Sequence, residues 1–439
     1  MVRSCVLLLA VAAALAAQQT DLPKELTLTQ AIEIALTNST NIRTAMAQLS
    51  QASGRNEQAR SPLLPQITVG ARQGYQTLNL PGFGIELPGT STTQTQLIGP
   101  FASMDARVFL TQQVLNISAW QSWHSSHSKE DSYRLLVDNA REYVALRVIA
   151  TYLEALRAKA SRDTLVEQTK LASDLYRLTL DRVQQGASAQ LDANRALQQV
   201  NTLEQERLES EQTYVAAKLT LANILQARIT PDFEIADEAA YGAGTPPERD
   251  TTVKLALSTR ADYRSAEANV NAAELRVKSI RSTRLPTIDM VFTDGQSGNT
   301  PVHNVNTYRI QGNINFPVFT GGRIQGEVAE AEGSLREAKT ALDQSRSQIE
   351  TDVLTAISGV DWALKQLDTS AGNVTLSRQE VEFARQRFSQ GVADNTEVVN
   401  AQDRLARAND AQIRARYNLG LARANLARAT GAAEKTYRK

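Results

Sequence analysis

The chain has one cysteine in 439 residues, three histidines and four methionines. Aromatic residues make up 5%, and its 47 basic residues are balanced by 47 acidic ones. Each shortage removes a class of function. A lone cysteine cannot build a disulfide framework. Three histidines leave little for metal or triad chemistry. The run WHSSH at 123–127 puts His124 and His127 on one helix face with Glu130, but so common a pair reads as a polar surface patch. Four methionines and three histidines give no soft-metal pathway. Balanced charge leaves no basic patch large enough for nucleic acid and no acidic tail. No nucleophile elbow, Walker motif or zinc-protease motif occurs. Gly82, Gly84 and Gly89 have the wrong spacing and context for a phosphate loop. The expectation is a chain that is not an enzyme, with no cofactor, no metal and no nucleic-acid partner.

Long apolar runs are also missing. MVRSCVLLLAVAAALAAQQ has the parts of a secretory signal: Arg3, a short apolar stretch Val6–Leu15, and a small-x-small pattern at Ala14-Leu15-Ala16. About ten apolar residues are too few to span a bilayer. Cys5 precedes that stretch and leaves with it, so the exported chain is stabilised by packing and assembly rather than disulfides. Nothing downstream resembles a transmembrane helix, so an exported chain of this kind is either soluble or inserted as strands.

What the chain does have is an internal duplication. RSPLLPQITV (60–69) and RSTRLPTIDM (281–290) are identical at five of ten positions, at an offset of 221 residues. Ala35-Leu36 matches Ala256-Leu257 and Arg43 matches Arg264 at the same offset. FLTQQVLN (109–116) lies over NINFPVFT (313–320) at 204, and DRVQQGAS (181–188) over QRFSQGVA (386–393) at 205. The first copy therefore carries 17 extra residues between its strand-like segments, in the Gly-, Pro-, Ser- and Thr-rich stretch 77–100. Insertions of that kind belong in exposed loops, not packed helices.

Length allows two or three ordinary domains or one elongated one, and the duplication decides the divisions. These are a signal at 1–17, a first repeat at 18–226, a Pro/Gly-rich linker at 227–250, a second repeat at 251–431 and a tail at 432–439. The first repeat has a strand hairpin at about 65–117 and a helical hairpin tip at about 186–190. The second has a strand hairpin at about 286–319 and a tip at about 391–395. Each repeat reads helix, strand, loop, strand, very long helix, Gly-marked turn, long helix. The fold class is mainly α with a minor β part.

The strands alternate. Ile67, Val69, Ala71 and Tyr75 share one parity, as do Ile288, Met290 and Phe292. In YRIQGNINFPVF (308–319), Tyr308, Ile310, Gly312, Ile314, Phe316 and Val318 alternate with Arg309, Gln311, Asn313 and Asn315. This fits a strand between lipid and a watery lumen, and equally an ordinary half-buried strand. Four strands cannot close a barrel, for which about eight is the minimum. Inserted strands would therefore require oligomers, eight strands from two chains or twelve from three.

The helices lack punctuation: from Ala119 to Gln185 there is no proline or glycine, enough for roughly 100 Å of helix. Ala401, Ala408, Ala415, Ala422 and Ala429 form a heptad, with Val398, Leu405, Gln412, Leu419 and Leu426 three residues before each. This is a coiled-coil seam with alanine at every close approach, and by itself it also fits a soluble coiled coil.

The duplicated Arg-x-x-x-Leu-Pro, the FPVFTGGR run at 316–323, and the paired RVQQG (182–186) and RFSQG (387–391) together resemble the TolC-like outer-membrane efflux factor family, over essentially the whole mature chain. The resemblance implies a homotrimer whose 12-stranded β-barrel is continuous with a long coiled-coil α-helical barrel. Pro65, Pro286, Pro317, Gly321 and Gly322 would lie at the helix-to-barrel junctions. It implies an extracellular position for the longer loop and an equatorial girdle built by the linker and the N-terminal segment. It further implies outer-membrane lipid around the strands, and a periplasmic adaptor at the tips Gly186-Ala187-Ser188 and Gly391-Val392-Ala393. Through the adaptor the tunnel would couple to an inner-membrane pump. Ala187 departs from the larger apolar residue the family often has there.

In such proteins acidic side chains narrow the periplasmic entrance. The corresponding candidates are Glu397 and Asp192, each six residues past a tip glycine, with Asp394 beside them. Asn400 is not acidic, so a second ring is not implied, and Phe388 and Ala393 stand where some members carry a tyrosine–arginine lock. The implied function is an outer-membrane exit duct in a tripartite efflux or type I secretion system. The rival is a periplasmic adaptor or soluble coiled-coil scaffold, but an adaptor has one helical hairpin where this chain has two.

Overall fold

The structure, a computed structural model, describes residues 21–80, 97–236, 247–300 and 302–438. The signal segment 1–17, the glycines of the 81–96 loop and the middle of the linker lie outside the described residues. In chain order the elements begin β1 (Glu25–Leu26), α1 (Leu28–Asn38), α2 (Thr40–Arg60), β2 (Gln66–Asn79), β3 (Leu97–Leu115), α3 (Ile117–Gln184) and α4 (Gln190–Ile224). There follow β4 (Glu234–Ile235), α5 (Arg249–Thr259), α6 (Ala261–Ser282), β5 (Thr287–Gly298), β6 (Asn304–Asn315), α7 (Arg323–Ser389), α8 (Asn395–Ala429) and α9 (Ala433–Tyr437). Helices dominate and strands are a minor part. Among the described residues no helix is long and apolar enough to cross a membrane.

The duplication is visible in element boundaries. α1 and α5 both have 11 residues, and α4 and α8 both have 35. Two helices, not one, precede the first strand of each copy. Thr27 caps α1 with its hydroxyl on the Gln30 N–H, while the Gln30 side chain accepts from the Thr27 N–H, a reciprocal capping box. The chain clusters into two compact units, one of residues 1–47, 134–264 and 343–439, the other of 48–133 and 265–342.

The second unit holds an antiparallel sheet in the order β2-β3-β5-β6, so the two copies meet at β3–β5. Strand starts are set by proline. A single 3₁₀ turn follows α2, with Leu64 N–H on Ser61 O, and β2 begins directly after Pro65. α6 ends at Ser282 in tightened turns, and β5 begins directly after Pro286. Alternation in the sequence extends to Val318, but β6 stops at Asn315, paired with Thr287. Beyond that pair both sides of the ladder reach a proline, Pro286 and Pro317, which removes a donor from each strand.

The same unit packs α3 on α6 through a ladder of small residues. Ser118 meets Ser279, Ser125 Oγ donates to Ala272 O at 2.7 Å, and Ser132 meets Ser265 at 2.9 Å. Both sets repeat every seven residues and run antiparallel. With no long side chain between them, hydroxyls bond directly to the opposite backbone.

In the first unit the core gathers Leu26, Ile32, Val148, Ile149, Tyr152, Leu153, Leu221 and Ile235 around the two-residue parallel pair β1–β4. Tyr152 donates to Leu26 O at 2.9 Å, and the buried Lys218 ammonium donates to Phe233 O at 2.9 Å and pairs with Glu234 at 3.2 Å. Val353, Val360, Val374, Val381 and Phe388 bury one heptad row of α7, matched by Val398, Ala401, Leu405, Ala408, Ala415 and Leu419 on α8. The exposed i,i+4 ion pairs of α7, such as Lys365–Asp361, are worth about 0.3–0.5 kcal/mol each. A buried valine contributes about 1.5–3 kcal/mol, so burial holds this hairpin.

In the tail, residues 433–437 form α9, held by its side chains to α3. Arg141 donates to Glu434 through Nε at 2.9 Å and Nη2 at 2.6 Å, and Glu142 accepts from the Ala433 N–H. Arg260, 6% exposed, bridges Asp262 at 2.7 Å and Asp352 at 2.9 Å. Replacing Arg260 with Met removes the cation shared by two carboxylates and is expected to cost about 3 kcal/mol, seen as a lower urea midpoint. An unchanged midpoint would refute this.

The hydrogen bond from Arg141, aided by its charge, outweighs burial and holds the Glu434 carboxyl below its ordinary 4.5. A lowered folded-state pKa means stabilisation present above the ordinary value and lost as pH falls through the lowered one. Hydrogen exchange at residues 433–437, corrected for intrinsic rates, is expected to accelerate over that acid window. Glu434→Gln should remove this response.

Candidate functional site: an apolar sheet face and two helical hairpin tips

Register assigns every strand residue of the sheet to a face. One face carries Ile67, Val69, Ala71 and Tyr75 on β2, opposite Leu110, Val108, Ala106 and Ala102 on β3. It continues through Phe292 and Met290 on β5 to Ile310 and Gly312 on β6, with Ile288 beside Ile314. A bulge between Gln113 and Leu115 brings Leu115 opposite Ile288 and so keeps the face apolar to its end. These side chains are not core: Val69 is 78% exposed, Tyr75 83%, Tyr308 73% and Ile314 73%. The other face carries Thr68, Arg72, Asp105, Arg107, Asp289, Thr293, Arg309, Gln311 and Asn313. Both faces are exposed; one is apolar along most of its length, broken by Gln73, Gln112, Asp294 and Gln296, and the other is mostly polar. β2 and β6 are its edges, and neither has a further strand beside it among the described residues. A broad apolar face on an open-edged sheet marks contact with lipid or another chain.

Pro65, Pro286 and Pro317 fall where the ladder ends. Gly321 and Gly322, at φ +59° and +86°, turn the chain into α7 at Arg323.

The helical tips form a separate site in the first unit. Gly186 at φ +70° and Gly391 at φ +74° close α3 and α7 by the same device. Ala187 N–H reaches Arg182 O and Val392 N–H reaches Arg387 O, the six-residue bond that ends a helix at a left-handed glycine. Ala187 and Val392 stand exposed, and Ser188 and Ala393 are half-buried.

The restart of the second helix differs between the tips. Asp394 caps α8 by accepting from the Glu397 N–H at 3.1 Å, whereas the equivalent Ala189 gives α4 no side-chain cap. Glu397 pairs with Arg387 at 3.2 Å, and Asp192 lies 3.8 Å from Arg195. All three candidate carboxylates therefore lie at the tips with local partners. Asp192 and Asn395 are directly joined, since Asn395 Nδ2 donates to Asp192 O at 3.0 Å.

Two further residues tie the tips together. Arg182 donates to Phe388 O and lies over the Phe388 ring, 4.7 Å from its centroid. Phe388 itself is 3% exposed, inside the cluster of Leu175, Val381 and Val398. No sequence signal marks Arg182 or Asn395 as bridges, because each acts across about 200 residues of chain.

A sheet with a broad exposed apolar face beside long coiled-coil helices defines a mainly helical protein whose sheet meets lipid or another chain. The family model for outer membrane efflux proteins matches residues 31–226 and 252–432. Pyoverdine export outer membrane protein OpmQ of Pseudomonas putida is 26% identical over 402 residues, covering 88% of this chain and 82% of OpmQ. Outer membrane protein TolC of Escherichia coli is 20% identical over 427 residues, covering 92% and 82%. The solved outer membrane protein VceC of Vibrio cholerae superposes with a TM-score of 0.76 at 19% identity, covering 92% of this chain and 96% of VceC. The chain belongs to the outer membrane efflux protein family. Its place is the outer membrane and its work is conduction for efflux, not catalysis.

Asp394→Ala makes the second tip like the first and is expected to cost about 1 kcal/mol of local stability. Hydrogen exchange at residues 395–398 would show faster opening, while residues 190–193 stay unchanged. Equal exchange in both forms at 395–398 would disprove the cap.

Proposed function

We propose that three copies of this chain close a 12-stranded barrel in the outer membrane, continuous with a helical tunnel in the periplasm. The observation that carries the reading is the sheet: four antiparallel strands, two open edges, one exposed apolar face. In hydrocarbon an unpaired backbone group costs several kcal/mol, so both edges need partners. β2 and β6 run in opposite directions, because an even number of antiparallel strands separates them. Joining β6 of one copy to β2 of the next therefore continues the antiparallel pattern around a ring. Four strands are below the minimum of about eight. Two or three copies satisfy it, and the family likeness favours three.

On this reading the polar face lines the lumen and the 81–96 loop is extracellular. The linker and the core around β1 and β4 form the girdle. Gly186-Ala187-Ser188 and Gly391-Val392-Ala393 meet a periplasmic adaptor, and an inner-membrane pump supplies the energy. Glu397, Asp192 and Asp394, repeated by threefold symmetry, narrow the entrance and favour cations. OpmQ is named for pyoverdine export, and an export duct is the role proposed here, in tripartite efflux or type I secretion. Cargo is chosen mainly by the pump.

Ile288→Asp and Phe292→Asp place a charge on the lipid face and are expected to abolish heat-modifiable trimers in the membrane fraction. Cysteines on β2 and β6 should cross-link neighbouring copies into trimers. Normal trimers from the aspartate variants, or cross-linking that stops at dimers, would overturn the reading.

A further inference from the structure

The polar face of the sheet carries an uneven distribution of charge. Its charged residues among those described are Arg72, Asp105, Arg107, Asp289 and Arg309. Register places four of them on three successive rungs. Phe109 and Thr293 carry the ladder from Thr68 to Arg309. The next rung holds Gly70, Arg107, Gly295 and Thr307, and the third holds Arg72, Asp105, Ser297 and Val305. Two steps of two residues span about 14 Å. Asp289 lies outside this band, opposite Gln113 and Asn313, and accepts from Asn313 Nδ2 at 2.8 Å. The band therefore holds three arginines against one aspartate.

Only Arg107 uses that aspartate, with Nε 2.6 Å from Asp105 Oδ1. Arg72 and Arg309 are exposed and make no ion pair among the described residues. Arg107 is set between two glycines, Gly70 on β2 and Gly295 on β5. A Cβ at Gly295 would come 2.2 Å from Ala106 O and 2.9 Å from Arg107 Cγ. The glycine thus gives the arginine stem its room beside the neighbouring strand.

We infer that Arg72, Arg107 and Arg309 form a basic zone in the barrel lumen that binds multivalent anions, such as phosphate- or carboxylate-bearing cargo, on their way out. The inference rests on the barrel reading above. Each chain contributes three positive charges and one negative, a net of +2, so three copies place +6 around one stretch of lumen. Guanidinium is the side chain best matched to phosphate and carboxylate oxygens, and low-dielectric walls strengthen its pull. The zone is opposite in sign to the acidic residues proposed at the entrance.

The test is block by inositol hexakisphosphate of single channels of the full chain in planar bilayers, added to the chamber opposite the one receiving protein. The wild type is expected to be blocked from that side, less so as KCl is raised. Arg72→Gln/Arg309→Gln should weaken block at least tenfold, and Arg72→Lys/Arg309→Lys should largely retain it. Arg309→Gln alone serves if the double variant fails to assemble. Channels that form normally but are blocked equally in wild type and glutamine variants would overturn the basic zone and leave the barrel standing. A wild type that forms no channels would overturn the barrel and this inference with it.

Discussion

The backbone of two edge strands constrains everything else in this protein. β2 and β6 each present a row of N–H and C=O groups without a strand partner, on a sheet whose apolar face suits lipid better than water. Water could satisfy those groups; hydrocarbon cannot. Features that look incidental then share a cause. The bulge at Gln113–Leu115 keeps the apolar face in phase where β3 leaves the ladder. Prolines 65, 286 and 317 bound the hydrogen-bonded region, so that the ladder ends at defined rungs. An even strand number leaves the two edges, β2 and β6, antiparallel to each other.

Duplication supplies the even number, and divergence between the copies supplies the asymmetry. Helix lengths are held almost constant, because a residue gained or lost in a heptad seam rotates every later side chain off its face. Loops and caps are free of that limit. The first copy has the long inter-strand loop, where in the second the Asn299 N–H already bonds His303 O. The first tip has Ala189 where the second has the capping Asp394. Arg260, the buried hub of an ion network, stands where the first copy has Ser39 at the end of α1.

The helices are held by small contacts repeated many times. A ladder of serines and an alanine joins α3 to α6, and alanine rows line α8. Such seams bring backbones close and leave little room for a single large side chain to dominate. Lys218 and Arg260 are the exceptions. Each is a buried cation whose hydrogen bonds offset the cost of removing it from water.

Much of the fold was legible in the sequence because its signals are periodic. The 221-residue offset exposed the duplication, strand alternation exposed the two-faced hairpins, and the Ala401–Ala429 heptad exposed the α8 seam. The tip glycines announced themselves by their place in the matching runs RVQQG and RFSQG. The serine ladder was also written in the sequence, at spacing seven, but small residues carry too weak a signal to be read without a partner helix.

Other features had no local signal at all. β1 and β4 are two residues each and exist only because distant segments meet. Arg182 and Asn395 become bridges only when the two tips adjoin. The end of β6 at Asn315, short of the alternating pattern, falls where both sides of the ladder reach a proline, Pro286 and Pro317. Sequence by itself determined which face of each helix and strand is apolar, since that follows from spacing along one chain. Tertiary structure decided which faces meet and which charges share a rung, because hydrogen-bond register joins residues that the sequence keeps hundreds of positions apart.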